Sequence, residues 1–388
     1  MTWPVVKLAS VCQIDMGSAP KGDTYVELGE GTPLIAGAAD YGVRYPQPKK
    51  ATTAPTKVCV PGDIIICVRA TIGDLNWADK EYCLGRGVAG LRVNKDKLDS
   101  KYLWYFILSY ESELYRNATG STFPQINRKV IESISVPLPP LEIQMQIADI
   151  LEKTDQLRKD CEQIKQELNC LSQSVFIDMF GDPVTNAKAW NVKSLNDIST
   201  VQLGKMLSEK SKQGVTPKKY LRNANIRWRT IDFSDLLEMD FTEKEMSKFK
   251  LVDGDLLVCE GGEIGRCAIW RSQVSDCYYQ KALHRVRVDT SICTPEYLQE
   301  YFYWMAQLGG FNTSTNEVTF KHLTAEKIKA LLVPLPPKDM QEEYSNIYIK
   351  ILCEMKENEQ MQIELDNEFN SILNQAFTGE LQLKEPVM

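Results

Sequence analysis

The chain has 388 residues, 43% hydrophobic and 25% charged, with a formal net charge of −7 and a pI near 5.3. This is globular composition at about twice the length of one ordinary domain. Without a run of 18 apolar residues or a basic-then-apolar leader, a two-domain cytoplasmic protein is expected. Eleven cysteines, none in a CxxC pair, argue for reduced thiols rather than a disulfide framework or a zinc site, so no metal is predicted. Two histidines, His284 and His322, leave few centres for histidine-based catalysis.

The opening segment is used twice. Trp3, Val5, Leu8, Val11, Ile14 and Gly17 align with Trp190, Val192, Leu195, Ile198, Val201 and Gly204 at an offset of 187 residues. The apolar runs Asp63 to Val68 and Asp255 to Cys259, each opened by Gly-Asp, align at 192 and read as buried strands. Residues 101 to 116 and 296 to 308 carry aromatic and leucine residues at helical spacing, and here the offset is 195. Val136-Pro137-Leu138-Pro139-Pro140 recurs unchanged as Val333 to Pro337, at 197. Each unit keeps a frame and varies its loops, and looks α/β or α+β.

After each proline pair the sequence turns helical. The first helix, in 141–182, carries a heptad-like seam of apolar or small residues, Ile147, Ile150, Thr154, Leu157, Cys161, Ile164, Leu168, Leu171 and Val175. The second, in 338–388, keeps Ile347, Ile351, Met361, Leu365, Phe369 and Ile372 with polar interruptions. The prolines block helix upstream; Gly181-Asp182-Pro183 and Gly379 supply the stops. About 38 residues give rods of roughly 57 Å. Each rod either packs on its own domain or pairs with the other, and a twofold relation between the repeats makes such a pair antiparallel. The expected division is two recognition units, 1–140 and 183–337, each followed by a rod.

Charge is segregated. The units 1–140 and 183–337 hold 16 basic against 14 acidic and 21 against 18 side chains, while the rods hold 4 against 9 and 4 against 11. A polyanion is tolerated by the units and repelled by the rods. Candidate contacts in the first unit are Lys21, Arg44, Lys49, Lys50, Arg69, Thr119, Ser121, Thr122, Gln125 and Arg128. Those in the second are Lys205, Lys218, Lys219, Arg222, Asn225, Arg227, Arg266, Thr319, Lys321 and His322. Arg44, Gln125, Asn225, Arg227 and Lys321 have the donor types that read base edges.

Catalytic motifs are missing from the sequence. There is no GxxxxGK[ST] loop, no Asn-Pro-Pro-aromatic tetrad and no GxSxG elbow. Gly261-Gly262-Glu263-Ile264-Gly265-Arg266 reads as a turn, and His284 as a structural histidine.

Two globular units, each closed by Val-Pro-Leu-Pro-Pro and followed by a helix that carries Gln144 or Gln341, closely resemble the specificity subunit of type I restriction-modification systems. The resemblance covers essentially the whole chain. Also similar to that family are Tyr220 to Trp228, Gly254-Asp255-Leu256-Leu257 and Ile264-Gly265-Arg266. One departure is Asp74 after Gly73, where the second unit has Arg266. The resemblance implies two target recognition domains on double-stranded DNA, each reading half of a bipartite, asymmetric target. It implies antiparallel coiled-coil helices that set the spacing and dock two methyltransferase subunits, with restriction subunits joining. This chain is then not an enzyme, and S-adenosylmethionine belongs to the methyltransferase partner. Two readings stand against it: a coiled-coil scaffold that binds only proteins, and a self-sufficient DNA-modifying enzyme.

Overall fold

The computed structural model describes residues 3–120, 124–311 and 323–381. They group into two compact units. The first comprises residues 1–163 and 359–388, and the second residues 164–358.

In the first unit, Val5–Lys7 pairs antiparallel with Ser135–Pro137, which ties the start of the frame to the proline junction. Beside it lies a four-stranded antiparallel sheet in the order Cys12–Met16, Val88–Val93, Ile64–Cys67 and Leu75–Trp77. Ile64–Cys67 is buried at every position. A strand covered on both faces reads as a continuous apolar run rather than an alternating one. The second unit repeats this frame. Asn191–Ser194 pairs with Leu332–Leu335, and the sheet order is Ser199–Leu203, Leu283–Val288, Leu256–Cys259 and Cys267–Ile269.

The loops between frame strands build the differences. A five-stranded sheet, Tyr25–Val26, Lys50–Thr52, Thr32–Ile35, Tyr82–Leu84 and Val58–Cys59, decorates the first unit. A three-stranded one, Leu237–Asp240, Pro217–Leu221 and Tyr278–Tyr279, decorates the second. Each holds one parallel pair among antiparallel ones. The expected helices are Ser100–Ser109 with Glu111–Arg116, and Pro295–Gln307. The fold is α+β in character.

The Gly-Asp turns serve the frame. Asp63 accepts from Val60 N at 2.9 Å and takes a bidentate bond from Arg92 at 3.0 and 2.8 Å. Asp255 accepts from Val252 N at 2.8 Å and binds Arg287 the same way at 2.7 and 2.8 Å. Planar fork geometry makes these pairs directional as well as strong.

The proline junction is equally specific. Gln144 is fully buried; its Oε1 accepts from Asp99 N at 2.9 Å, and its Nε2 donates to Lys97 O and Pro139 O at 2.9 and 2.8 Å. Gln341 accepts from Thr294 N at 3.0 Å and donates to Ile292 O and Pro336 O at 3.2 and 2.9 Å. Tyr102 and Tyr297 donate their hydroxyls to Pro137 O and Pro334 O at 2.8 and 2.6 Å. One glutamine and one tyrosine thus fix the departure of each long helix from its unit.

Those helices are Leu141–Phe180 and Lys338–Thr378, ended by Gly181 and Gly379 at positive φ of 77° and 79°. Each contributes a half to each unit, and the halves run antiparallel. In the first unit Arg158 pairs with Asp366 at 2.6 Å and lies over the Phe369 ring, while Phe377 packs on Tyr102 and Phe106. In the second, Phe176 and Phe180 pack on Tyr344 and Tyr297.

The buried stripe follows one heptad column of the expected seam and leaves the other exposed. Ile147, Ile351 and Phe369 are buried, and Leu168, Val175, Ile347, Leu365 and Ile372 are half-buried. Ile150, Leu157, Ile164 and Leu171 are 36–52% exposed and Met361 54%. Thr154 and Cys161, which belong to the expected seam, are buried as well, and so are Leu151 and Ser172, which lie outside it. Helical rotation accounts for this, because residues seven apart drift by about 20° on a straight helix and four apolar residues can share a face that is not the paired one.

Candidate nucleic-acid interface

In the first unit the structure brings three sequence candidates together. Strand Ile64–Cys67 continues through Val68 into Arg69, where Ile126 N donates to Val68 O and Ala70 N to Pro124 O, at 3.0 and 3.1 Å. Thr119 and Gln125 exchange both backbone bonds at 2.9 Å, and Arg69 bridges Gln125. Arg69, Thr119 and Gln125 are exposed side by side on this turn. Arg69 has no ion pair among the described residues. Arg128 stands next to the turn, 3.4 Å from Glu132 in an exposed pair of little energetic weight. Ser121 and Thr122 lie outside the described residues.

Lys49 and Lys50 are exposed at the start of strand Lys50–Thr52, and Lys21 is exposed before Tyr25–Val26, the strand paired with it. Arg44 lies elsewhere, in a groove beside Trp77, Trp104 and the first long helix.

The basic cluster of the second unit changes character. Lys205 is turned inward, where its Nζ donates to Glu245 Oε2 at 2.6 Å and Asp240 O at 2.7 Å. Desolvation works against the Glu245 charge, yet the Lys205 and Thr242 bonds hold its carboxyl below the ordinary value. Lys218 binds Asp276 at 2.5 Å, Arg222 binds Asp235, and Arg227 stands 3.8 Å from Asp232. Arg266 bonds Glu263, Asn223 O and Asn223 Oδ1 at 3.0, 3.3 and 3.1 Å, so it braces the Gly261–Gly265 turn. Asn225 is buried: its Oδ1 accepts from Arg222 N and its Nδ2 donates to Asp232 O and Asp235 O, which corrects its expected role as a base reader. Lys205 is corrected likewise, because its charge is spent inside the unit.

Left facing solvent are Lys219, exposed and without an ion pair among the described residues, and Arg227, whose long pair is easily broken. Thr319, Lys321 and His322 lie outside the described residues. His284 is buried with Nε2 2.9 Å from Leu323 O, and desolvation lowers its pKa. Sequence reasoning missed the apolar rim of a groove between residues 202–216 and the helix Glu243–Phe249, where Met206 and Val215 are 63% and 76% exposed. No periodicity marks such loop residues.

A family model for the type I restriction modification DNA specificity domain matches residues 1–169 and again 187–365. The chain belongs to this family. Each copy of the specificity domain carries one frame, its loops and most of the helix that follows. A putative type I restriction enzyme MjaX specificity subunit of Methanocaldococcus jannaschii is 40% identical over 170 residues, 42% of this chain and 40% of that protein. The type I restriction enzyme EcoBI specificity subunit of Escherichia coli is 22% identical over 422 aligned positions, 98% of this chain and 86% of that protein.

Among solved structures, the type I restriction-modification S subunit from M. genitalium matches with a TM-score of 0.64 at 14% identity, over 97% of this chain and 96% of that one. A chain from a structure concerned with complex assembly and conformational transition of the type I system matches at 0.61 and 17%, over 98% of each. This specificity subunit is thus a DNA-recognition protein with two target recognition domains, and a scaffold without DNA specificity is not supported. No helix among the described residues is long and apolar enough to cross a membrane.

Proposed function

We propose that each unit reads one half of a bipartite, asymmetric DNA target, and that the two long helices set the spacer and dock two methyltransferase subunits, with restriction subunits completing the nuclease. The chain then carries no catalysis of its own, and S-adenosylmethionine is bound by the methyltransferase partner.

One observation carries this reading: identical four-stranded frames are decorated by unlike sheets, five strands in one unit and three in the other. A shared frame docks equivalent partners, and unlike loops read unlike half-sites. Arg69, Gln125 and Arg128 are the favoured DNA contacts of the first unit, and Lys219 and Arg227 of the second. The helices support the docking part. Ile150 and Leu157 in the first unit and Ile164 and Leu171 in the second recur every seven residues on exposed faces. Such spacing suits partner helices.

The test is methylation sequencing of DNA from cells that express this chain with its cognate methyltransferase, against cells that lack it. A bipartite asymmetric motif that depends on the chain is expected. Unchanged methylation, with both proteins expressed and associated, would overturn the reading.

A further inference from the structure

The two units share a match that their sequences hide. In the first, the turn Ala38–Asp40 leads into a hairpin in which Tyr41 bridges Pro46, Gly42 N donates to Tyr45 O at 3.1 Å, and Gln47 N donates to Asp40 O at 2.7 Å. In the second, Asn223–Asn225 leads into one in which Ile226 bridges Ile231, Arg227 N donates to Thr230 O at 2.9 Å, and Asp232 N donates to Asn225 O at 2.7 Å. Arg44 and Arg229 hold the same place in the two hairpins. Both are pinned to the outer frame strand through the backbone, Trp77 N donating to Arg44 O at 3.0 Å and Arg229 N donating to Cys267 O at 2.9 Å.

Their side chains meet different surroundings. Arg229 lies 3.8 Å over the Tyr303 ring and forms a bidentate pair with buried Glu300 at 2.7 and 2.5 Å. By the repeat offset of these helices, Glu300 falls on Tyr105 and Gln299 on Trp104. No carboxylate stands there for Arg44. Instead an open groove of about 380 Å³ is bounded by Arg44, Trp77, Trp104, Tyr105 and the first long helix. Trp77 and Trp104 stack with centroids 4.9 Å apart. Lys101 is paired with Glu152 at 2.6 Å and Lys159 with Asp155 at 2.7 Å. Arg44 is therefore the lining cation without an ion pair among the described residues, and Val43 at the rim is 98% exposed.

We propose that this groove docks a segment of the methyltransferase partner that carries a carboxylate beside an apolar or aromatic side chain. The carboxylate meets Arg44 as Glu300 meets Arg229, and the apolar group lies against the indoles. The inference rests on the proposed assembly with a methyltransferase. A DNA strand fits worse, because its successive phosphates face Glu152 and Asp155, whereas one carboxylate matches the one uncompensated cation. Since Glu300 fills the equivalent place in the second unit, the extra contact is made by one of the two methyltransferase copies.

The experiment titrates the full chain with purified methyltransferase subunit by native mass spectrometry and maps hydrogen exchange on Ser100–Ser109. Arg44→Glu and Arg44→Gln are compared with the wild type, with circular dichroism as the check on folding. Expected is an about ten-fold weakening of one of the two binding steps, the other unchanged, and loss of the protection that assembly gives to Ser100–Ser109. Two unchanged steps, or protection of that helix by duplex DNA without the partner, overturn the groove while the assembly stands. No association of the wild-type chain removes both.

Discussion

Replacing Gln341 by Met keeps the side-chain volume of the second proline junction and deletes its hydrogen bonding. Gln341 is fully buried and makes three bonds to main chain, to Thr294 N, Ile292 O and Pro336 O. Each bond is worth about 1 kcal/mol net, and an orphaned buried amide costs more than a bond lost to water, so the expected loss is about 3 kcal/mol. For a unit of this size that corresponds to a fall of roughly 6–12 °C in melting temperature. Native-state hydrogen exchange resolves where the loss falls. Leu256–Cys259 and Leu283–Val288 should lose protection while Ile64–Cys67 keeps it, and Gln144→Met should reverse the pattern. A loss below about 1 kcal/mol, or one spread equally over both units, would refute the view that the glutamine clamps its own unit.

Further outcomes are expected from individual groups. Hydrogen bonds from Lys218 and then Tyr278 hold the Asp276 carboxyl below its usual 3.8. A depressed folded value adds stability that is complete above the unfolded value and fades as pH falls through the folded one, so Asp276→Asn should destabilise at pH 7, and the difference from the wild type should shrink as pH falls below 3.8 in chemical denaturation. Nine cysteines are buried, and Cys170 and Cys353 are exposed. Burial pushes Cys12, Cys59 and Cys293 up to about 12. Iodoacetamide at pH 8 should therefore add two adducts to the native chain by mass spectrometry, and further adducts only on unfolding. Arg69→Ala or Gln125→Ala should relax the first half-site by about 1–3 kcal/mol per contacted base and leave the second unchanged, as read by competition with single-base variants of the target.

The parts legible in the sequence are those where one residue type does one job twice. Gly-Asp recurs because the aspartate must face an arginine and a backbone amide, and Pro-Pro with Gln recurs because the glutamine closes three main-chain bonds. The hairpins at 38–47 and 223–232 were hidden, because main-chain bonds define them and Gly42-Val43-Arg44-Tyr45 shares only its arginine with Arg227-Trp228-Arg229-Thr230. Basic residues were visible in number but not in their partners. Asp276, Asp235 and Glu245 come from other segments of the chain and compensate Lys218, Arg222 and Lys205, which the sequence offered as candidate DNA contacts. The helices showed their length and left their phase ambiguous, since Ile150 and Leu151 are equally apolar and only packing chooses between them.

That phase decides how a ruler should be tested. An insertion of four residues lengthens a helix by about 6 Å and rotates its downstream half by about 40°, whereas seven residues add about 10.5 Å and rotate that half by about −20°. The buried stripe on Leu141–Phe180 runs through Thr154, Cys161 and Ser172, so a four-residue insertion partly turns it away from its partner helix and a heptad nearly preserves it. Because each unit takes one half of each helix, an insertion in one helix alone leaves the other without a counterpart. Seven residues inserted after Gln163 and seven after Asn358 should therefore lengthen the preferred spacer by about 3 base pairs, at 3.4 Å each, and leave both half-sites intact in methylation sequencing. The same heptad in only the first helix should reduce methylation without defining a longer spacer. Retention of the original spacing by the balanced variant would show that helix length does not set it, and the exposed Ile150, Leu157, Ile164 and Leu171 would then serve docking alone.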